Sequence, residues 1–268
     1  MNIIFRKCKA AHNIVVRNFR WQMDSILCRK KIKQKELLSL DNKRIVVLAP
    51  HSDDEWIGCC RLLLSYPDNI TVINMDMPGG DSEELHTLRF KEMQCVAKEI
   101  GYELITTGQD KEDFLYQFLI DNAIDLVMLP CYYDWHDEHF EVMEILSHAV
   151  EKSGYDGLIG MYQVSLPIPI QKINYGLPMK KTELRYKWIC LKKFYGSQSF
   201  LPVRRFMINE HINGKLSGSY ALEAYAVQDF NAWKNGCRLL NAEDREILSN
   251  NIQNIAFCRN YLQNILKR

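Results

Sequence analysis

Between residues 44 and 164, short apolar runs alternate with segments of helical period, and few architectures accept that order. Residues 44–48, 70–76, 103–106, 126–129 and 158–164 read as strands. Residues 56–65, 82–100, 111–122 and 136–152 read as the helices between them. Ser82 stands where an N-cap belongs, Glu83 and Glu84 fill the first turn, and Gly101 follows the last residue. Strands joined through helices imply right-handed crossovers, hence a mostly parallel sheet with helices on both faces. The expected fold is therefore α/β and Rossmann-like, with an N-terminal helical extension and C-terminal helices.

After residue 164 the alternation fails. Pro167, Pro169, Gly176 and Pro178 mark a section expected to be irregular or hairpin-like. Two helical patterns, residues 219–233 and 243–266, are expected to close the chain. Before Glu36 the chain is basic, with Arg17, Arg20, Arg29, Lys30, Lys31, Lys33 and Lys35 among ten cations, and Asp24 is the lone acid. Ile14, Val15, Phe19, Trp21, Met23, Ile26 and Leu27 are interleaved with them. This segment reads as a helix packed on the domain with a solvated basic face. Its alternative is peripheral contact with a membrane surface, such as the inner membrane face, or with a polyanion, through residues 1–43. The division expected is residues 1–43 as a basic extension and residues 44–268 as one domain.

With 268 residues, 47% of them hydrophobic, the chain can bury one substantial core. A net charge of +1 does not describe a nucleic-acid binder, so none is expected as a partner. Nine cysteines, odd in number and without a CxxC pair, read as reduced thiols of a cytoplasmic protein. No stretch has the apolar length of a signal h-region or a membrane span. A nucleotide-binding Rossmann domain is disfavoured, because no G-x-G-x-x-G follows the first strand and Pro78-Gly79-Gly80 is a poor substitute.

Chemistry concentrates at two strand exits. The first strand runs into Pro50-His51-Ser52-Asp53-Asp54-Glu55, and the fourth into Trp135-His136-Asp137-Glu138-His139. The carboxyl ends of strands are where open α/β sheets bind ligands. His51 and Asp54, three apart at a strand-to-helix turn, can address one ion, and His139 can supply a third donor. Two imidazoles and a carboxylate with an open position suit catalytic Zn2+, and Fe2+ or Co2+ could substitute. Asp53 is placed to deprotonate a water. His136, at i, i+3 from His139, can stabilise an oxyanion or donate to a leaving amine. Glu55 reads as a supporting residue with a loop or an arginine for partner, and Trp56 and Trp135 as pocket wall. Asp134 and Asp137 are left between supporting and solvated roles, and His86 and His148 read as structural.

These residues resemble the PIG-L-type (LmbE-like) de-N-acetylase family. Its first motif is A-H-P-D-D-E with a glycine three residues on, matched by His51, Asp53, Asp54, Glu55 and Gly58; its second is H-x-x-H, matched by His136 and His139. Arg89 and Glu92, followed by Ile100-Gly101, are similar to its Arg-x-x-Glu helix, and Tyr225-Ala226-Val227-Gln228 to its closing helix. Ser52 stands where the family has proline. The resemblance implies zinc ligands His51, Asp54 and His139, base Asp53, acid His136, and Arg89 on sugar hydroxyls. It implies removal of acetyl from an N-acetylated amino sugar such as an N-acetylglucosamine conjugate, free, lipid-linked or nucleotide-linked. Two rivals remain open at this stage: a metal-dependent amidohydrolase or esterase on a non-sugar substrate, and a non-catalytic sugar-binding protein. The acceptor's carrier and the oligomeric state are not assigned; specificity is expected in loops 107–112 and 165–200.

Overall fold

A computed structural model describes residues 2–267, with side chains from residue 12 onward. Arg6, Lys7 and Lys9 of the basic segment therefore lie outside the described side chains. The chain begins with α1 (Asn2–Lys31). The alternating region follows as β1 (Ile45–Ala49), α2 (Asp54–Ser65), β2 (Ile70–Asn74), α3 (Glu83–Ile100), β3 (Glu103–Thr106), α4 (Lys111–Asp121), β4 (Leu126–Pro130), α5 (Asp137–Ser153) and β5 (Leu158–Tyr162). Local chemistry accounts for these boundaries. The Ser82 side chain caps α3 by accepting from the Leu85 amide at 3.3 Å, and Gly101 ends it in the left-handed region.

The remainder is β6 (Tyr175–Met179), α6 (Lys181–Phe194), α7 (Val203–Asn213), β7 (Ala221–Gln228), α8 (Phe230–Gly236), α9 (Ala242–Asn250) and α10 (Ile255–Ile265). Here the sequence-based expectations need correction. Residues 219–233 are not one helix: Tyr225 to Gln228 lie on a strand, and only the short α8 follows it. Positions 221–227 are buried, because β7 lies inside the sheet between β5 and β6. A strand buried on both faces shows no alternation, and its alanine, leucine and glutamate are helix formers that tertiary packing overrides. The middle section is not a hairpin either, since two helices separate β6 from β7. Pro178 is accommodated because β6 is the edge strand. The last helical pattern is broken at Asn251–Asn254, where the Asn254 side chain caps α10.

The seven strands order as β3-β2-β1-β4-β5-β7-β6, with β1 to β5 parallel and β7 antiparallel to both neighbours. The order reverses between β1 and β4. Alternate residues of β1 enter separate cores: Val46 and Leu48 pack on the side of α4, α5 and α10, and Ile45, Val47 and Ala49 on the side of α2, α3 and α6. No helix among the described residues is long and apolar enough to cross a membrane.

Helix α2 has a break at Cys59 (φ −130°, ψ 15°). Just past it, the amides of Arg61 and Leu62 donate to the Glu223 carboxylate, each at 3.0 Å. Just before it, the Ile57 carbonyl accepts from Lys187 Nζ at 2.7 Å. A buried cation and anion from α6 and β7 thus serve the backbone groups flanking the break. Gly58 is required at the same place. A Cβ there would lie 2.0 Å from the ring of Tyr162, whose hydroxyl donates to the Leu48 carbonyl at 2.7 Å. Gly58→Ala is expected to cost about 3 kcal/mol of unfolding free energy in urea denaturation, because the ring is pinned and cannot yield. A loss below about 0.5 kcal/mol would show that the ring is free to move.

Candidate metal centre

The exits of β1 and β4 meet because those strands are adjacent at the reversal of the sheet, the position where such folds bind ligands. After β1 the chain turns sharply. The His51 carbonyl accepts from the amides of Asp53 (2.9 Å) and Asp54 (3.2 Å), which starts α2 and aims both carboxylates back at the sheet end. One oxygen of Asp54, Oδ2, becomes the hub. It accepts from the His51 amide at 3.0 Å, and it lies 3.1 Å from His51 Nδ1 and 3.4 Å from His139 Nε2.

After β4, residues 131–136 lead into α5, with His136 at its N-cap and His139 in its first turn. His139 is 1% exposed, and its ring is fixed from behind by Asp134 Oδ2, 3.2 Å from Nδ1. Asp134 is itself held by the amides of Trp135 (2.7 Å) and Ser165 (3.2 Å). The question left open by the sequence is settled for Asp134, which supports the ring, and for Asp137, which is exposed. His136 completes the group, its ring centroid 4.8 Å from that of His51 and 4.9 Å from that of His139.

The electrostatics are those of a site arranged around positive charge. Burial opposes ionisation of Asp54, yet His139 and His51 hold its carboxyl well below the usual range. Burial likewise opposes charge on His139, but Asp54 and Asp134 outweigh it and lift the imidazole to about 10. A proton there holds the place that a metal cation would take on displacing it. Burial, then the two neighbouring imidazoles, press His136 below its ordinary value, so it is neutral. Burial and the Asp54 charge push Asp53 well up.

His51, Asp54 and His139 fit a metal ion. Their donor atoms lie within 4.8 Å of one another, and the two separations to Asp54 are close to the edge of about 3.4 Å spanned by a tetrahedron with zinc-type bonds. A second group, His51, His136 and Glu138, meets the same proximity. Glu138 was not among the sequence candidates. Its carboxylate lies 2.6 Å from His51 Nε2 and accepts from the Gly79 amide at 3.0 Å. Nothing in the spacing of an H-x-x-H pair distinguishes this intervening residue. Gly79 has φ +63°, and a Cβ on it would come within 3.2 Å of His51.

A cavity of about 330 Å³ opens on this group, lined by His51, Asp53, Asp54, His136, His139 and Arg89 among others. Arg89 from α3 pairs with Asp81 at 2.5 Å. Three nitrogens on cavity-lining residues are buried without a partner: the donors Arg89 Nε and Trp135 Nε1, and His136 Nδ1. Gln198 and Phe200 line the far wall, and Glu92 secures that segment by accepting from the amide and hydroxyl of Ser197. Trp56 departs from its expectation as pocket wall. It is buried beneath the site, edge-on to Phe194, with Nε1 donating to the Lys187 carbonyl. Glu55 accepts from the hydroxyl of Tyr195, which lies in the connection after α6, so of the two partners expected for it, a loop or an arginine, it has the loop. His86 and His148 pair with Asp76 and Glu112, outside the cavity. A cavity of about 570 Å³ lies at the amino ends of β1 and β2, the opposite end of the sheet from the clusters.

No family model and no curated protein matches the chain. Solved structures do. N,N'-diacetylchitobiose deacetylase from Pyrococcus horikoshii superimposes with a TM-score of 0.56 at 18% identity, covering 70% of this chain and 84% of that one. A conserved protein from Thermus thermophilus gives 0.55 at 16% identity, covering 69% and 94%. A deacetylase triple mutant of the teicoplanin biosynthetic pathway gives 0.51 at 14% identity, covering 69% and 98%. The chain shares the fold of these solved structures.

Proposed function

We propose that the chain is a metal-dependent hydrolase that removes the N-acetyl group from an N-acetylated amino sugar. The observation that carries this reading is Asp54 Oδ2 placed between two imidazoles, with Asp53 and His136 on the same cavity. The fold supports it, since structures sharing it include named deacetylases of a chitobiose and of the teicoplanin pathway. His51, Asp54 and His139 would hold the ion, Zn2+ by donor type, with Fe2+ or Co2+ able to replace it. When bound, the ion supplies Lewis acidity to the amide carbonyl and to water.

The chain's own residues supply the rest. Asp53 accepts the proton of the attacking water, and its raised proton affinity makes it the stronger base of the adjacent carboxylates. Neutral His136 donates a hydrogen bond to the carbonyl oxygen as it gains charge, and the proton that Asp53 took from water passes to the departing amine as the C–N bond breaks. Asp134 keeps His139 Nε2 turned toward Asp54. Arg89 Nε and Trp135 Nε1, buried and unpartnered, offer two donors to substrate hydroxyls, as a sugar requires. The carrier, lipid or nucleotide, is left to loops such as that bearing Gln198 and Phe200. In this reading residues 44–268 form the catalytic domain and residues 1–43 an extension. Eight free cysteines among the described side chains support a reducing, cytoplasmic setting.

The test is a deacetylation screen over N-acetylhexosamines and their conjugates, simple amides and esters, with and without chelator. Release of acetate from an amino sugar, abolished by chelator and restored by Zn2+, is the expected result. Turnover of simple esters or non-sugar amides alone would replace the substrate assignment, and no turnover by metal-loaded protein would overturn the enzyme reading. His139→Ala is expected to lower bound metal at least about tenfold from one ion per chain, read by elemental analysis. Full occupancy would remove His139 from the ligand set.

A further inference from the structure

Helix α1 packs on the body through one stripe only. Trp21, Asp24, Ser25 and Cys28 face inward, with Trp21 Nε1 donating to the Gln253 carbonyl at 2.8 Å and Asp24 accepting from the Ala256 amide at 3.4 Å. Arg29 donates to the His211 carbonyl at the end of α7. The opposite side of α1 is exposed and apolar. Val15, Val16, Phe19, Met23, Ile26 and Leu27 fall within about 120° of arc on a helix of 3.6 residues per turn. Phe19 is 68% exposed and Val15 66%. Single exposed apolar residues are ordinary, but six on one face form a patch.

The charge around this patch has one sign. Arg17, Arg20, Lys30, Lys31, Lys33 and Lys35 are exposed, while Asp24, the lone acid between residues 12 and 35, is buried. At the carboxyl end of α1, Leu27 also borders a cavity of about 520 Å³ lined by Lys31, Lys33, Lys35 and Arg259. Arg259 is 5% exposed and pairs with no carboxylate among the described residues. Its Nη2 bonds the side-chain oxygens of Asn209 (3.2 Å) and Asn213 (2.9 Å), but Nε and Nη1 have no partner. A buried guanidinium without a counter-charge is costly, and an anion at the cavity would relieve it.

We propose that α1 docks its Val15–Leu27 face onto an anionic lipid surface, with the basic cavity at its foot receiving a headgroup phosphate. Charge decides among occupants. A second copy of this face would bring two basic rims together, and a nucleic acid offers nothing apolar to cover Phe19 and Met23. An anionic bilayer meets both needs, acyl chains for the stripe and phosphate for the lysines and Arg259. This interaction is separate from the metal centre and does not depend on the proposed reaction.

The experiment is co-sedimentation of the full chain with vesicles of phosphatidylcholine alone and of phosphatidylcholine mixed with phosphatidylglycerol. Binding is expected to be at least about tenfold stronger to the anionic vesicles and to weaken with salt. Phe19→Glu and the pair Lys31→Glu, Lys33→Glu should each lower it about tenfold or more, with unchanged melting temperature, because these positions are exposed. Equal partitioning onto both vesicle types, no binding to either, or binding indifferent to Phe19→Glu would overturn the proposal. So would a dimer that Phe19→Glu dissociates in the absence of vesicle binding. None of these readouts uses substrate turnover, so failure here leaves the deacetylase reading untouched.

Discussion

Asp53→Ala is expected to lower kcat for deacetylation by about a thousandfold while leaving bound metal near one ion per chain. The two carboxylates of the first cluster are adjacent in sequence but differ in surroundings. Asp54 shares one oxygen between two imidazoles, which hold it ionised. Asp53 has neither imidazole as a hydrogen-bond partner, and burial beside Asp54 raises its affinity for a proton. Removing Asp53 therefore removes the proton acceptor without removing a ligand. The checks are steady-state kinetics and elemental analysis of the same preparation. An alanine variant that retains normal kcat would end the assignment of Asp53 as base, and one that loses its metal would move Asp53 into the ligand set.

Lys187→Met is expected to destabilise the protein by about 3–5 kcal/mol, the largest effect anticipated outside the centre. Lys187 is 1% exposed, and its Nζ contacts Glu210 at 2.5 Å, Glu223 at 2.8 Å and the Ile57 carbonyl at 2.7 Å. Methionine fills similar space but leaves two buried carboxyl groups without their cation. The loss should depend on pH. Burial already lifts Glu210 to about 7 against the pull of Lys187. With the cation gone its proton affinity rises further. A carboxyl whose folded pKa exceeds its unfolded value favours folding fully below about pH 4 and loses that contribution as pH rises through the folded pKa. The Lys187→Met penalty is thus expected to be larger at pH 8 than at pH 5 in urea unfolding. A penalty below about 1 kcal/mol, or one independent of pH, would mean that the two carboxylates find other partners.

The first five strands and the helices between them were legible because their signals are local. Ser82 and Gly101 bracket α3, and the apolar runs of β1 and β4 stop at polar clusters. The site was legible for a related reason. His51, Asp53 and Asp54 lie within one turn, and His136 and His139 within another, so only the adjacency of β1 and β4 had to be supplied. What escaped depends on distant partners. Glu138 gains its place through His51 and Gly79, 87 and 59 residues away. β7 presents helix-forming residues on a strand sheltered on both faces, and α6 and α7 were hidden among prolines and glycines that read as breaks. Trp135 and Arg89 show their unpartnered nitrogens only once the cavity exists.

The break in α2 bears on the order in which the molecule can be assembled during synthesis. All three candidate ligands have been synthesised once residue 139 is made, and α2 begins at one of them. Yet the groups that serve the backbone on either side of Cys59 come much later: Lys187 lies 130 positions beyond Ile57, and Glu223 lies 162 and 161 positions beyond Arg61 and Leu62. Closing loops of that length is slow relative to forming a helix turn. The nascent chain therefore carries these candidate ligands for a long interval before the helix that supports them is complete.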